Sequence, residues 1–426
     1  MNSRFIVRTP QLLNVIVFAI IFELPIIPRI SELLYRSIFV IQIAIILICV
    51  TYMIAKNQLD FGKYEYFLIA YLIWGFIVIV MITSTGTYDY FRGFAYPIVS
   101  VLVMCKWIFK GNYKKTIKYI STYYAIVIWM NMILMVLFPR GLIYSSIGAI
   151  RDRANWLFGS KNTIVYVLPF LLLLFGLDSK LNNKVGISKL LRYVTMGILL
   201  LSFSSTGEEG FKFLSGSTTG IIMIIIYFIL VLILDNDKVQ KMRIYKYVNI
   251  RNISILSFIL MLILTAIGQG KLLATNSTFL KLLGLTGKGI GFSGRNSVWI
   301  AALLSFSKSP IWGIGLKQEI FITYNNIRST NTSLYSFWFN ILVRYGAVGI
   351  TLVYLAFSIT EKKKERTFFS NQAYVSFFLM MIGGLTYPLD FRYVLLLTTI
   401  YCLVERSQIK IEKRIPHAKK RGIGKG

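Results

Sequence analysis

A single histidine, His417, is all that 426 residues offer, and it sits in a basic tail. A histidine triad or histidine-based metal centre has nothing to build on. Cysteine is nearly as scarce. Cys49, Cys105 and Cys402 are odd in number, far apart, and each inside an apolar run, which is neither a disulfide framework nor a set of metal ligands. Charge is thin at 15% of residues, and acids are the rarer sign, with 17 Asp+Glu against 47 Lys+Arg. A soluble domain carries about 25% charge. Soluble enzyme, secreted disulfide scaffold and disordered chain are excluded together.

What is present is apolar: 56% hydrophobic residues and a mean hydropathy of +0.66. Apolar runs fall at 11–28, 35–55, 65–83, 92–109, 118–138, 163–178, 190–206, 216–234, 253–270, 333–358, 372–388 and 391–405. A helix of about 20 such residues spans the hydrocarbon core of a bilayer. The expectation is an all-α polytopic integral membrane protein of about 12 transmembrane helices, forming one membrane domain over 1–426. The first run is no cleaved signal peptide, because Glu23, Pro25 and Pro28 interrupt its end and no small-x-small site follows.

The formal charge of +30 would suggest nucleic acid in a soluble chain; in a chain this apolar it is first a topology signal. With both termini cytoplasmic, 30 of the 47 cations fall on inner segments, eight of them in the tail 406–426, as the positive-inside rule requires. Short outer loops carry little, such as Arg92, Lys212 and Arg392. Eleven outer cations gather in two places that topology does not explain. The loop 139–162 holds Arg140, Arg151, Arg153 and Lys161, and the long loop 271–332 holds seven more, including Arg295, Lys308 and Arg328. Few acids oppose them there, Asp152 and Glu319. The pattern predicts an anion site on the outer face.

Within the long loop, Gly289-Ile290-Gly291-Phe292-Ser293-Gly294 fits G-x-G-x-x-G, but no strand precedes it and no βαβ unit surrounds it, so a dinucleotide fold is rejected. A turn whose N–H groups face an anion and a plain flexible turn both stay open. Asn296–Phe306 reads as a short helix with Trp299, Leu303 and Phe306 on one face, lying at the interface or packed on the bundle. Arg295 stands at its start, where the helix dipole favours anions and a guanidinium can take two oxygens at once; snorkelling or pairing with Glu319 is the plainer reading. Arg344, inside the run 333–358, is a functional candidate because ionisable residues in spans are costly; pairing with a carbonyl or snorkelling is its plainer role.

These motifs carry a resemblance. Ser293-Gly294-Arg295, then Trp299, Pro310-x-x-Gly313-x-Gly315, Asn331-x-x-Leu334 and Arg344-Tyr345-Gly346-x-x-Gly349 look like the O-antigen ligase / Wzy-type polymerase family. Arg151-x-Arg153 with Gly159-Ser160-Lys161-Asn162, and Leu214–Gly220, resemble two earlier stretches of it. The likeness covers roughly residues 150–350. Two positions depart from it: Thr330 stands where a histidine often precedes the asparagine, and Thr218 or Thr219 where an arginine is usual. Both departures tilt toward the polymerase branch.

The resemblance implies a GT-C-like enzyme with a large extracytoplasmic loop containing short helices, set in the cytoplasmic membrane. It implies transfer of a growing glycan from polyprenyl diphosphate to the next lipid-linked repeat unit. Partners would be that lipid-linked oligosaccharide, the bilayer, and neighbouring flippase and chain-length-regulator proteins, with no nucleic acid. Candidate catalytic residues are Arg295, Arg151, Arg153, Arg344 and Glu319, the last as the better base because Asp152 lies between two arginines. Lys161, Asn162, Arg328, Asn331 and Trp299 are candidates for substrate binding. No cofactor is expected and no metal, since Arg29–Arg36 has no paired acids and Glu208-Glu209 reads as a solvated turn. A ligase and a flippase remain open alternatives.

Overall fold

In a computed structural model, the described residues are 9–57, 61–82, 90–109, 113–139, 141–147, 150–159, 164–181, 187–201, 205–207, 210–212, 218–269, 295–315, 320–324, 327–331, 336–360, 370–386 and 391–402. Helices dominate, and each of the twelve apolar runs contains one. They are α1 (Thr9–Ile21), α2 (Glu32–Ala55), α3 (Lys63–Ile82), and α4, a π-helical turn Phe91–Ala95 running into Tyr96–Phe109. Then come α5 (Tyr113–Leu137), α6 (Ile164–Leu181), α7 (Ile187–Leu201), α8 (Thr218–Leu234), α9 (Ile250–Gln269) and α10 (Arg295–Lys308). The chain ends with α11 (Phe337–Ile359), α12 (Ser370–Thr386) and α13 (Phe391–Cys402).

Four of these, α2, α3, α5 and α11, are long and apolar enough to cross a membrane by length and composition. Their outward surfaces agree with that: Val40, Leu47 and Ile48 of α2 and Val80 and Met81 of α3 are well exposed, a density of surface hydrophobes that water does not tolerate. The molecule is a helical membrane protein. α6 is its centre. Val165, Val167, Leu168 and Phe170–Phe175 are all buried, as a helix that is apolar all round must be.

Period-3.6 reading did not anticipate three antiparallel ribbons: β1 (Ile143–Ile147) with β2 (Ile150–Asn155), β3 (Ser205–Gly207) with β4 (Gly210–Lys212), and β5 (Ile320–Tyr324) with β6 (Ile327–Asn331). They fall within or beside the predicted outer segments. The short helix expected at Asn296–Phe306 is α10. It packs on the bundle, with Val298, Trp299 and Ala302 buried.

The run 333–358 departs most from expectation. Gly346 has φ 69° and ψ −168°, which breaks α11, and the chain bends there so sharply that the Trp338 ring lies 6.3 Å from Phe357. A straight helix would hold those residues about 28 Å apart along its axis. The first limb, Phe337–Tyr345, lies across the bundle: Phe337 meets Phe391 at 5.8 Å, Phe391 meets Tyr71 at 5.8 Å, and Tyr71 meets Tyr345 at 5.4 Å. Both ends of the limb thus stand at one level of α3.

That level is partway along the longer helices. Tyr64 bonds Thr398 at 2.7 Å, and α3 and α13 run antiparallel from there to the Tyr71–Phe391 contact, where α13 begins. α3 continues to Ile82, roughly 16 Å farther at 1.5 Å per residue. α1 ends near the same level. Glu23, just beyond it, accepts a bond from Gln42 of α2 and another from Arg392 of α13 at 3.1 Å, while α2 extends some 15 Å past Gln42. The ends of α1 and α13 and the first limb of α11 therefore form a shelf overtopped by α2 and α3.

Candidate functional site

The shelf is where two of the sequence motifs meet. A helix that stops leaves its last carbonyls without partners, and in an apolar bundle each must find one. At the break in α11 the segment Ser309–Gly315 supplies them. Ile314 N–H donates to the Val343 carbonyl at 2.8 Å and Gly315 N–H to the Arg344 carbonyl at 3.0 Å. Trp74 Nε1–H donates to the Tyr345 carbonyl at 2.8 Å, and Ala347 N–H donates to the Pro310 carbonyl at 2.8 Å. Pro310-x-x-Gly313-x-Gly315 is thus a strap hooked backbone to backbone onto Arg344-Tyr345-Gly346. Trp312 pins it from the side by stacking on Trp74 at 4.7 Å.

Glycine is required at this crossing. Gly313 has φ 77° and Gly346 φ 69°, the left-handed region that side chains avoid. A Cβ on Gly346 would lie 2.0 Å from the Ile311 carbonyl oxygen, and one on Gly313 would lie 2.5 Å from the Arg344 carbonyl oxygen. Spacing revealed both glycines but not that they face one another.

Arg344 is 6% exposed. Its Nη1 donates to the Gly315 carbonyl at 3.0 Å, so the plainer role, pairing with a carbonyl, is occupied. The strap thus fixes the position of the Arg344 guanidinium on the shelf.

Trp299 lies differently from its expected substrate-binding role. It is fully buried, with its ring 6.2 Å from Phe339, because α10 needs an apolar wedge to seat against the first limb of α11. It positions the strap that follows α10. Arg151 and Arg153 lie on β2, Arg295 opens α10, and Arg328 and Asn331 lie on β6, with Thr323 opposite Arg328 and Ile320 opposite Asn331. Lys161, Asn162, Glu319 and the turn Gly289–Gly294 lie outside the described residues.

Charges missed by inspection of the sequence are also buried. Beyond Glu23 and Arg344, the bundle encloses Glu65, Asp178 and Arg192. Arg192, one of the 30 cations that the sequence reading assigns to inner segments, bonds Asp178 at 2.7 Å and Thr122 at 2.7 Å; an arginine so buried is held by its partners rather than by the membrane surface. Arg392, expected in a short outer loop, lies on the shelf with Glu23. The two are 369 positions apart, so only the fold could join them. Comparison with family profiles, curated proteins and solved structures finds no match.

Proposed function

We propose that this chain is a polysaccharide polymerase of the cytoplasmic membrane, moving a growing glycan from polyprenyl diphosphate to the next lipid-linked repeat unit on the outer face. One observation carries the reading: two motifs on which the resemblance rests, 310–315 and 344–349, interlock through their backbones and fix Arg344 between them.

In this reading all twelve apolar segments span the membrane, both termini are cytoplasmic, and the shelf opens outward in a GT-C-like architecture. The acceptor hydroxyl oxygen attacks the anomeric carbon as the bond from that carbon to the diphosphate oxygen breaks. The hydroxyl proton goes to Glu319 or to solvent, and polyprenyl diphosphate leaves. Negative charge grows on the departing oxygen, so preorganised cations supply the catalysis. Arg344 is the fixed one. Arg151, Arg153 and Arg295 come from the outer segments, with Lys161, Asn162, Arg328 and Asn331 holding the sugar and phosphate. No metal takes part.

The test is deletion of the protein followed by a gel of surface glycan and lipid-linked intermediates. Loss of polymer with single repeat units accumulating outside is the expected result. Long unattached polymer would instead mark a ligase, and single units trapped inside a flippase; either overturns the reading.

A further inference from the structure

Between α8 and α9 the chain does more than turn. α8 presents Ile229 and Leu232 outward, and α9 presents Leu256 and Ile259; in a membrane protein such surfaces meet hydrocarbon. The connection lies where those surfaces end, and it is folded. A short helix Asp237–Lys241, capped by Asn236 through a bond from Lys238 N–H at 2.9 Å, runs into a 3-10 turn Arg243–Tyr247. α9 then starts under a second cap. Asn252 N–H donates to Asn249 Oδ1 at 2.7 Å, and Asn252 Nδ2 donates to the Tyr247 carbonyl at 2.9 Å.

The connection is also tied down. Tyr245, buried within the turn, donates its hydroxyl to Asn371 Oδ1 of α12 at 2.6 Å. Asn371 Nδ2 in turn donates to the Leu234 carbonyl and to Asp235 Oδ1, both at 2.9 Å. One asparagine thus joins the end of α8, the turn and the start of α12.

With Tyr245 turned in, its neighbours face out. Lys238, Lys241, Arg243 and Lys246 are exposed, as is Arg251 in the first turn of α9. Against these five cations the stretch 235–251 has two acids, Asp235 and Asp237, and Asp235 is engaged by Asn371. Met242, 54% exposed, and Tyr247, 69% exposed, stand in the same stretch. Charge alone would serve to orient the chain. It would need neither a folded connection nor an apolar side chain and an aromatic ring held out beside the cations. That combination belongs to an interfacial segment, with cations for phosphates and amphipathic or apolar groups for the zone beneath them.

We infer that the α8–α9 connection is a docking surface for anionic phospholipid headgroups of the surrounding bilayer. The phosphates lie at Lys238, Lys241, Arg243 and Lys246, with Tyr247 and Met242 among the glycerol and upper acyl carbons. Charge and position together choose the occupant: the surface is positive, and the lipids that flank α8 and α9 bring their headgroups to it. The surface does not depend on the polymerase reading.

The full-length protein, in a cysteine-free variant carrying bimane at Met242→Cys, is placed in phosphatidylcholine nanodiscs containing a small fraction of spin-labelled lipid. Quenching by spin-labelled phosphatidylglycerol is compared with quenching by spin-labelled phosphatidylcholine. Phosphatidylglycerol should be preferred at least about fivefold, the equivalent of a single cation at about 1 kcal/mol near a membrane surface. The preference should fall below about twofold in Lys238→Gln/Lys241→Gln/Arg243→Gln/Lys246→Gln, whose exposed substitutions leave the fold intact. In the unsubstituted surface it should shrink at about 1 M salt, where the Debye length is about 3 Å. Bimane on Ile48→Cys of α2, an exposed apolar position, should show no such preference. Equal quenching by the two lipids at Met242→Cys, which orienting charge alone or a surface kept for an acidic protein would give, overturns the inference. So does a preference of the same size at Ile48→Cys, or one that survives loss of the four cations.

Discussion

At the scale of single residues, Gly346, Arg344 and the pair Glu23–Arg392 hold the shelf. Gly346→Ala combines a left-handed backbone with a Cβ 2.0 Å from a carbonyl oxygen. Thermal unfolding in detergent should register a loss of about 3 kcal/mol or more, whereas alanine at Gly93, where a Cβ meets nothing within 4 Å, should cost about 1 kcal/mol or less. Removing one member of this partly buried ion pair costs at most about 3–5 kcal/mol. Glu23→Gln is expected near the lower end, since Gln42 remains beside it, and the double variant Glu23→Gln/Arg392→Gln should be more stable than Arg392→Gln alone. Arg344→Lys keeps the charge but loses the planar fork toward Gly315, and a polymerisation assay should show it well below wild type yet above Arg344→Ala.

At the scale of elements, the decisive feature is the break in α11. Spin labels at Asn340 and Ser358 in a cysteine-free background should report a separation below about 20 Å, against about 27 Å for a straight helix. The apolar runs made the helices legible, because a span announces itself by length and hydropathy alone. α10 was legible too, from a short apolar stripe. The break was not, since Gly346 within an unbroken apolar run looks the same whether a helix continues or turns; what decides it is the strap from residues 309–315, which hydropathy does not encode. The ribbons at 143–155 and 320–331 were missed because their strands of five or six residues are too short to carry a period.

At the scale of the whole molecule, the surplus of basic residues acquires three destinations. In the proposed topology part lies on the inner surface and sets orientation and part lies in the outer segments, while Arg192 and Arg344 are buried with partners in the bundle and the partly buried Arg392 pairs with Glu23. The candidate site was legible only in part. Arg344 was marked by being charged inside an apolar run, while Glu23 and Arg392 stayed separate because nothing local links the two ends of a chain. Orientation is open to thiol labelling in the cysteine-free background. An impermeant reagent applied to intact cells should reach Ser145→Cys and spare Asn57→Cys, and the reverse pattern would invert the topology.

A polymerase of this design lengthens lipid-linked glycan and needs Arg344 to do so. The direct measurement reconstitutes purified protein in proteoliposomes with polyprenyl-diphosphate-linked repeat units and resolves the products on a gel. A ladder of products longer than the input, absent with Arg344→Ala of equal folded yield, is the predicted result. No product beyond the input unit, or an unchanged ladder from Arg344→Ala, would contradict it.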